Sequence, residues 1–185
     1  HFNLIANVVQ VQEWFKPIEM QPGEERMLTI LPLFHSYGMT CCMNFGFARG
    51  SELILLPKFD LKEVMETIKA TQPTSFPGVP TMYVAVNSFP NAEEYGVGSI
   101  QICNSGGAAA PVEVINTFEK RFGAVITEGY GLSEASPVTH CNPVSGLRKV
   151  GSIGPAYPDT DCRIVDVETG TRDVAPGEQG EIIIS

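Results

Sequence analysis

The chain has 185 residues, of which 43% are hydrophobic and 18% charged, and its formal net charge is -9 at pH 7. This composition is typical of a globular protein of one domain or slightly more, and it excludes a disordered or membrane-spanning chain. The negative charge argues against nucleic acid as a partner, because phosphate binding needs basic clusters. The longest basic runs are the pairs Lys120-Arg121 and Arg148-Lys149.

Cysteine and histidine usage argues against disulfides and metal clusters. The five cysteines form no C-x-x-C pair and the three histidines are dispersed, which disfavours a disulfide framework or a zinc site and favours a reducing cytosol. We expect Cys41 and Cys42 to be small buried residues of a helix. His140 and Cys141 are adjacent and lack an orienting acid, so we predict a surface loop there and not a nucleophile pair.

The spacing of apolar residues predicts alternating helices and strands. In chain order it predicts a helix over 3–15, a strand over 27–31, a helix over 36–47, a strand over 52–56, a helix over 59–72, a strand over 74–76, a helix over 79–87, a strand over 100–103, a helix over 111–122, and strands over 124–126, 162–165 and 180–184. Asp60 and Glu63 are expected to form a capping box. Ser36 is expected to cap the second helix and Gly123 to end the fifth.

This alternation predicts an α/β fold, with a largely parallel sheet and flanking helices. After about Pro155 no helical pattern separates the last two strands, which predicts the start of a small β-rich unit. We therefore predict an α/β subdomain over 1–155 and the beginning of a β-rich subdomain over 156–185.

The stretch Thr127–Glu134 is the strongest candidate for a ligand site. We predict that it is the loop leaving the strand over 124–126, a position at which ligands bind in open α/β sheets. Glycines on both sides of Tyr130 let the backbone approach a flat ligand. The ring together with Glu134 suits a nucleotide base and a Mg2+-bound phosphate. The alternative, which composition alone favours, is an ordinary surface turn with a solvated glutamate.

The residues Gly129-Tyr130-Gly131-Leu132-Ser133-Glu134 resemble the Y-G-x-[ST]-E motif of the acyl-adenylate-forming (AMP-binding) superfamily. Five further segments resemble its elements in order: Pro32–Gly38 (P-L-F-H-x-x-G), Val79–Tyr83 (V-P-x-hydrophobic), Asn104–Pro111 (S-G-G-A followed by Pro), Gly151–Pro155 (G-S-[VI]-G followed by Pro) and Gly177–Ile182 (G-E-x-G-E-[IL]). Together they are spread from Pro32 to Ile182, which is nearly the whole length of the chain. The resemblance is greatest to bacterial long-chain fatty acid-CoA ligases, because of the histidine heptad and Ser136–His140.

The resemblance implies roles for the matched residues. Glu134 would hold Mg2+, His35 would contact the reacting carboxylate or the phosphates, and these two would be the catalytic residues. Tyr130 would stack on adenine. The other nucleotide-binding residues that the resemblance implies are Gly106, Gly107, Ala108, Glu128, Gly129, Gly131, Leu132 and Ser133.

Each motif also has a structural interpretation. His35 has the alternative of a helix-start histidine satisfied by backbone, and the small residues at 104–111 have that of close helix–strand packing. For the Val79–Tyr83 segment a core helix is the stronger reading. The segments 151–155 and 177–182 are expected to be structural.

The resemblance implies part of an ATP-dependent fatty acyl-CoA ligase that uses ATP, Mg2+ and CoA. Such an enzyme converts a fatty acid and ATP to acyl-AMP and pyrophosphate, and then transfers the acyl group to CoA. Two alternatives stay open. One is an acyl-AMP ligase or peptide-synthetase adenylation domain that loads a carrier protein, and the other is a non-catalytic nucleotide- or acyl-binding module.

The resemblance also implies a fragment of the family's large N-terminal domain, with the start of its β-barrel subdomain at the end. The phosphate loop is expected before His1, and the domain with the catalytic lysine beyond Ser185. We therefore expect no ligase activity from the chain alone. A cytoplasmic location is expected, and peripheral association of the parent protein with a membrane stays open.

Overall fold

The structure is a computed structural model, and it describes residues 1–17 and 23–185. Its helices are α1 (Phe2–Phe15), a π-helix (Gly38–Asn44), α2 (Phe45–Arg49), α3 (Leu61–Thr71), α4 (Pro80–Ser88) and α5 (Val112–Phe122), with 3-10 turns at Ala92–Tyr95, Val97–Ser99 and Ser133–Ala135. Its strands are β1 (Arg26–Thr29), β2 (Glu52–Leu55), β3 (Ser75–Gly78), β4 (Ile102–Ser105), β5 (Val125–Gly131), β6 (Val138–Cys141), β7 (Cys162–Val165) and β8 (Glu181–Ile184). No helix in the two described ranges combines the length and the apolar character needed to cross a bilayer.

Six of the described strands form one sheet in the order β2-β1-β3-β4-β5-β6. The first five strands in this order, β2, β1, β3, β4 and β5, are parallel to one another, whereas β6 is antiparallel to β5. The parallel strands therefore end along one side of the sheet, which we call the carboxyl edge. The prediction of an α/β fold with a largely parallel sheet and flanking helices is confirmed.

Local capping signals place two helix ends where the sequence predicts them. The Asp60 side chain accepts a hydrogen bond from the backbone N–H of Glu63 at 3.0 Å and caps α3. Gly123 ends α5 in the left-handed region with φ +79, and its N–H donates to the carbonyl of Glu119 at 2.9 Å. Each signal involves residues only a few positions apart, so it acts in the same way in any tertiary setting.

Aromatic side chains fill the core between the sheet and helices α4 and α5. The ring of Tyr83 packs edge-on against Phe76 at 5.4 Å and against Phe118 at 5.5 Å, measured between ring centroids. Its hydroxyl donates to the carbonyl oxygen of Phe76 at 2.8 Å. The segment Val79–Tyr83 therefore begins a core helix, in agreement with its structural interpretation.

The helix predicted over 36–47 begins differently. Residues Gly38–Asn44 form a π-helix that runs into α2, and its N-cap residue Tyr37 makes no side-chain capping bond. The hydroxyl of Ser36 lies 3.0 Å from that of Ser133 instead. The prediction that Ser36 caps this helix is wrong, because a partner distant in sequence takes its hydroxyl.

The stretch Thr127–Glu134 is mostly strand, and the predicted loop after residue 126 is wrong. Strand β5 continues to Gly131, and the next segment of the chain turns back as β6 and pairs with it, with Tyr130 opposite His140. The register shifts between Tyr130 and Gly131. The extension follows from a sheet partner, which the local sequence signals do not show.

The surface loop predicted at His140 and Cys141 is wrong. Both residues belong to β6, and their side chains are 5% and 0% exposed. The Nδ1 atom of His140 lies 2.9 Å from the hydroxyl of Thr139, and burial lowers the pKa of His140. Cys41 and Cys42 are buried within the π-helix, which confirms the expectation for them.

Strands β7 and β8 form a separate antiparallel sheet, with Val165 opposite Glu181. These are the strands predicted over 162–165 and 180–184. The division of the chain into subdomains over 1–155 and 156–185 stays a prediction.

Candidate functional site

A cleft opens at the carboxyl edge, where the segments after β1, β4 and β5 meet. Its empty volume is about 730 Å³. It brings together the predicted site residues His35, Gly106, Gly107 and the run Gly129–Ser133. Its other lining residues are Ser36, Tyr37, Asn104, Pro137 and Val138. Segments marked by three separate motifs thus meet in space, as expected for the carboxyl ends of parallel strands. We call this space the edge cleft.

At two of the motif glycines, other atoms lie so close to the backbone that a side chain would not fit. A Cβ atom at Gly131 would lie 2.3 Å from the carbonyl oxygen of Pro137, to which the N–H of Leu132 donates at 2.9 Å. A Cβ atom at Gly106 would lie 3.0 Å from the ring of Tyr37. The turn after β5 and the wall of the cleft therefore both depend on a missing side chain.

Tyr37 and Asn104 join the segments that line the edge cleft. The Tyr37 hydroxyl donates to the backbone carbonyl of Asn104 at 2.6 Å and lies 2.8 Å from Asn104 Oδ1. The Asn104 amide nitrogen donates to the hydroxyl of Thr127 at 3.2 Å. Sequence reasoning missed Tyr37 because the P-L-F-H-x-x-G pattern leaves its position unspecified.

His35 is exposed on the turn that follows β1. Its Nδ1 atom accepts the backbone N–H of Tyr37 at 3.1 Å. In the neutral ring the proton is therefore on Nε2, which can donate a hydrogen bond to a ligand. The backbone-satisfied interpretation and the binding interpretation of this histidine are thus compatible, since each uses a different nitrogen.

Three predicted site residues, Ala108, Glu128 and Glu134, are absent from the described lining of the edge cleft. Glu128 is 8% exposed, and its carboxylate accepts the N–H of Gly151 at 3.0 Å and the side-chain amide of Asn142 at 3.2 Å. Burial raises the pKa of Glu128, and the hydrogen bond from Gly151 opposes that rise. Glu128 thus ties β5 to the turn at 151–155, for which a structural role was expected.

Glu134 is exposed on the 3-10 turn Ser133–Ala135. It lines a second groove, with an empty volume of about 1150 Å³, beside the start of α1 at Phe2. This groove and the edge cleft share the lining residues Leu132 and Val138. The predicted metal ligand therefore lies next to the edge cleft and outside its wall.

The surroundings of Glu134 suit a metal ion only if substrate phosphates supply further ligands to that ion. Across residues 1–17 and 23–185, no group of three or more His, Cys, Asp and Glu side chains could hold an ion. Mg2+ is nevertheless commonly held by one or two carboxylates together with substrate phosphates. A single exposed carboxylate beside a groove fits that arrangement and does not fit a site built from protein alone.

A narrow, mostly apolar cavity, which we call the internal cavity, lies next to the edge cleft. Asn104 and Val138 line both spaces. The other lining residues of the cavity are Val11, Phe15, Glu25, Met27, Cys41, Phe45, Arg49, Ser75, Pro77, Ile102 and Tyr157. A cleft that presents hydrogen-bonding groups, beside an apolar cavity, suits a ligand with a polar head and an apolar tail. The sequence did not predict this cavity, because its walls come from segments spread over most of the chain.

The sequence signature described as AMP-binding enzyme matches residues 1–185. The chain belongs to the AMP-binding enzyme family. The superfamily resemblance inferred from the short motifs is thereby confirmed, and the edge cleft is the candidate nucleotide site of a family member.

Curated members of the family include two fatty-acid ligases that match the chain along its whole length. The chain is 47% identical over 184 residues to a long-chain-fatty-acid–CoA ligase of Bacillus subtilis (strain 168), covering 100% of the chain and 32% of that protein. It is 30% identical over 185 residues to a ligase of the same name from Salmonella typhimurium, with 100% and 32% covered. The chain therefore spans about a third of the length of these relatives.

Solved structures of family members have the same fold. ATP-bound MatB from Rhodopseudomonas palustris superposes with a TM-score of 0.86 at 28% identity, covering 99% of the chain and 35% of MatB. A long-chain-fatty-acid-CoA ligase, FadD1, from Archaeoglobus fulgidus superposes with a TM-score of 0.83 at 21% identity, covering 100% of the chain and 38% of FadD1. At that identity, the second likeness supports the fold alone.

Proposed function

We propose that this chain forms the nucleotide- and acyl-binding part of an ATP-dependent fatty acyl-CoA ligase. The observation that carries the proposal is that the edge cleft and the apolar cavity lie side by side and share the lining residues Asn104 and Val138. A fatty acid has the same two-part character, with a reactive carboxylate and a hydrocarbon tail that gains free energy when buried. The relatives named long-chain-fatty-acid–CoA ligase support this activity.

The reaction has two displacement steps. A carboxylate oxygen of the fatty acid attacks the α-phosphorus of ATP, the bond to the bridging oxygen breaks, and pyrophosphate leaves with the electron pair. The CoA sulfur then attacks the acyl carbon of acyl-AMP, AMP leaves, and the thiol proton passes to solvent. Neither step needs a covalent bond to the protein, so the protein contributes positioning and charge stabilisation.

Different side chains at the carboxyl edge position the substrates and stabilise their charges. Tyr130 stacks on the adenine ring while the small residues Gly106 and Gly107 leave room for the nucleotide against the backbone. His35 donates from Nε2 to an oxygen of the carboxylate or of a phosphate. Glu134 would hold Mg2+ together with the phosphates, and the bound ion would supply neutralisation of their charge.

The hydrocarbon tail enters the internal cavity at Asn104. It lies along β3 and β4 against Pro77 and Ile102, which line the cavity. Burial contributes about 0.8 kcal/mol per CH₂ group. We therefore expect the KM for the fatty acid to fall as the tail lengthens, until the cavity is full.

The direct test uses the full-length protein that contains this chain, with ATP, Mg2+, CoA and a series of fatty acids. We expect AMP and pyrophosphate to form only when a fatty acid is present, and acyl-CoA to form when CoA is added, as measured by mass spectrometry. Acyl transfer to a carrier protein and not to CoA would contradict the proposal, and so would the absence of acyl-AMP. The 185-residue chain alone is expected to form no acyl-CoA.

A further inference from the structure

The internal cavity contains, away from Asn104, a hydroxyl group without a hydrogen-bond partner. Ser75 lines the cavity and is 3% exposed, and its Oγ atom has no hydrogen-bond partner among the described residues. Side chains alternate along a strand, so Ser75 shares one face of β3 with Pro77, which also lines the cavity. Buried hydroxyls are normally hydrogen-bonded. An unpartnered one facing a cavity marks a place for a polar atom of a ligand.

A buried ion pair lies in the same part of the cavity. Arg49 Nε is 3.4 Å from Glu25 Oε2, and the hydroxyl of Ser51 donates to that oxygen at 3.0 Å. Glu25 and Met27 share one strand face, and Met27 lies opposite Ser75 in the sheet register. This part of the cavity is therefore polar.

Asn104 lines both the internal cavity and the edge cleft. Asn104 is opposite Pro77 in the register of β3 and β4, and Ser75 lies two residues before Pro77. At about 3.3 Å per residue, Ser75 is roughly 7 Å along the strand from the level of Asn104. A tail that enters at Asn104 therefore brings its last carbon towards Ser75.

We propose that Ser75 is a specificity-determining residue that recognises the far end of the acyl chain, and that the site accepts ω-hydroxy fatty acids. This inference rests on the proposed function. A terminal hydroxyl would pair with Ser75 Oγ, whereas a terminal methyl of the same reach leaves that atom unpaired, and buried polar groups without partners are costly.

The test compares matched fatty acids with and without a terminal hydroxyl over a series of chain lengths, using the full-length ligase. We expect the ratio of kcat/KM, hydroxyl over methyl, to peak at one chain length. Ser75→Ala should lower that peak about tenfold, the value of one hydrogen bond. The variant should fold, because deleting an unpartnered buried hydroxyl leaves no other group unsatisfied.

Ser105→Ala is the matched control. Ser105 is 2% exposed and its Oγ also lacks a partner in the described structure, but it lies next to Asn104 on the opposite strand face, away from the described cavity lining. We expect this variant to leave the ratio unchanged. A ratio without a peak, a peak that Ser75→Ala leaves intact, or an equal loss in Ser105→Ala would each overturn the inference.

Binding gives a readout that does not depend on catalysis. Titration calorimetry of the full-length protein with the matched fatty acids should give dissociation constants with the same preference for the terminal hydroxyl. A preference in binding without acyl-CoA formation would contradict the proposed function alone, and binding without a preference would contradict this inference alone.

Discussion

The two carboxylates of the β5 motif have opposite environments. Glu128, inside the sheet, is 8% exposed and bonded to Gly151 and Asn142. Glu134, at the far end of the same motif, is exposed on a turn beside a groove. A carboxylate whose acceptors are already used stabilises the fold, whereas one in water beside a groove is available to a ligand. The family motif therefore joins a structural residue and a candidate metal ligand on one strand and its turn.

The largest effect should follow from Glu134→Ala. We expect kcat/KM for acyl-AMP formation by the full-length enzyme to fall on the order of 10²–10³-fold, because charge stabilisation at the phosphates is lost. Pyrophosphate release measures this rate. Glu66→Ala, which removes an exposed carboxylate on α3, is the control and should change nothing. Full activity of Glu134→Ala would remove Glu134 from the mechanism.

Glu128→Ala should instead act on stability. It leaves the N–H of Gly151 without its acceptor and removes one of the three acceptors of the Asn142 side-chain amide. We expect this to lower the free energy of unfolding by about 1–3 kcal/mol. Urea unfolding measures this change. In the same assay Glu134→Ala should stay within about 0.5 kcal/mol of wild type, as is usual for an exposed residue. Equal losses in the two variants would show that the contrast between these carboxylates is wrong.

Tyr130 lies between the two carboxylates in the sequence. Substitutions at Tyr130 show whether this part of the motif contacts the nucleotide. Stacking of a base on an aromatic ring contributes about 1–3 kcal/mol. We therefore expect Tyr130→Leu to raise the KM for ATP about tenfold, while Tyr130→Phe, which keeps the ring, stays near wild type. Steady-state kinetics over a range of ATP concentrations would show this. An unchanged KM in Tyr130→Leu would argue against adenine stacking.

The smallest effect concerns pH. Burial raises the folded-state pKa of Glu128 above its ordinary value of 4.5. At pH values between 4.5 and the folded-state pKa, the folded protein therefore holds more protons than the unfolded protein. The part of the stability that depends on protonation of Glu128 is fully present below pH 4.5 and is lost as pH rises through the folded-state pKa. Glu128→Gln does not titrate, so the wild type should lose stability relative to this variant over that window. Parallel unfolding profiles would contradict the expectation.

The sequence predicted much of the architecture because many of its signals act between near neighbours. The cap at Asp60 and the glycine at Gly123 lie where they were expected. The motifs also indicated correctly which segments come together, since parallel strands end at one edge. The loop expected over Thr127–Glu134 was wrong because only the pairing with β6 shows that β5 reaches Gly131.

By itself, then, the sequence determined the alternation of helices and strands, the family, and the segments that line the edge cleft. Only the tertiary structure decided that Glu128 is tied to Gly151, that Tyr37 is bonded to Asn104, and that Ser75 lines the cavity. The physical reason is distance along the chain. These contacts join residues from different strands and turns, and they exist only once the order of the sheet has placed those segments side by side.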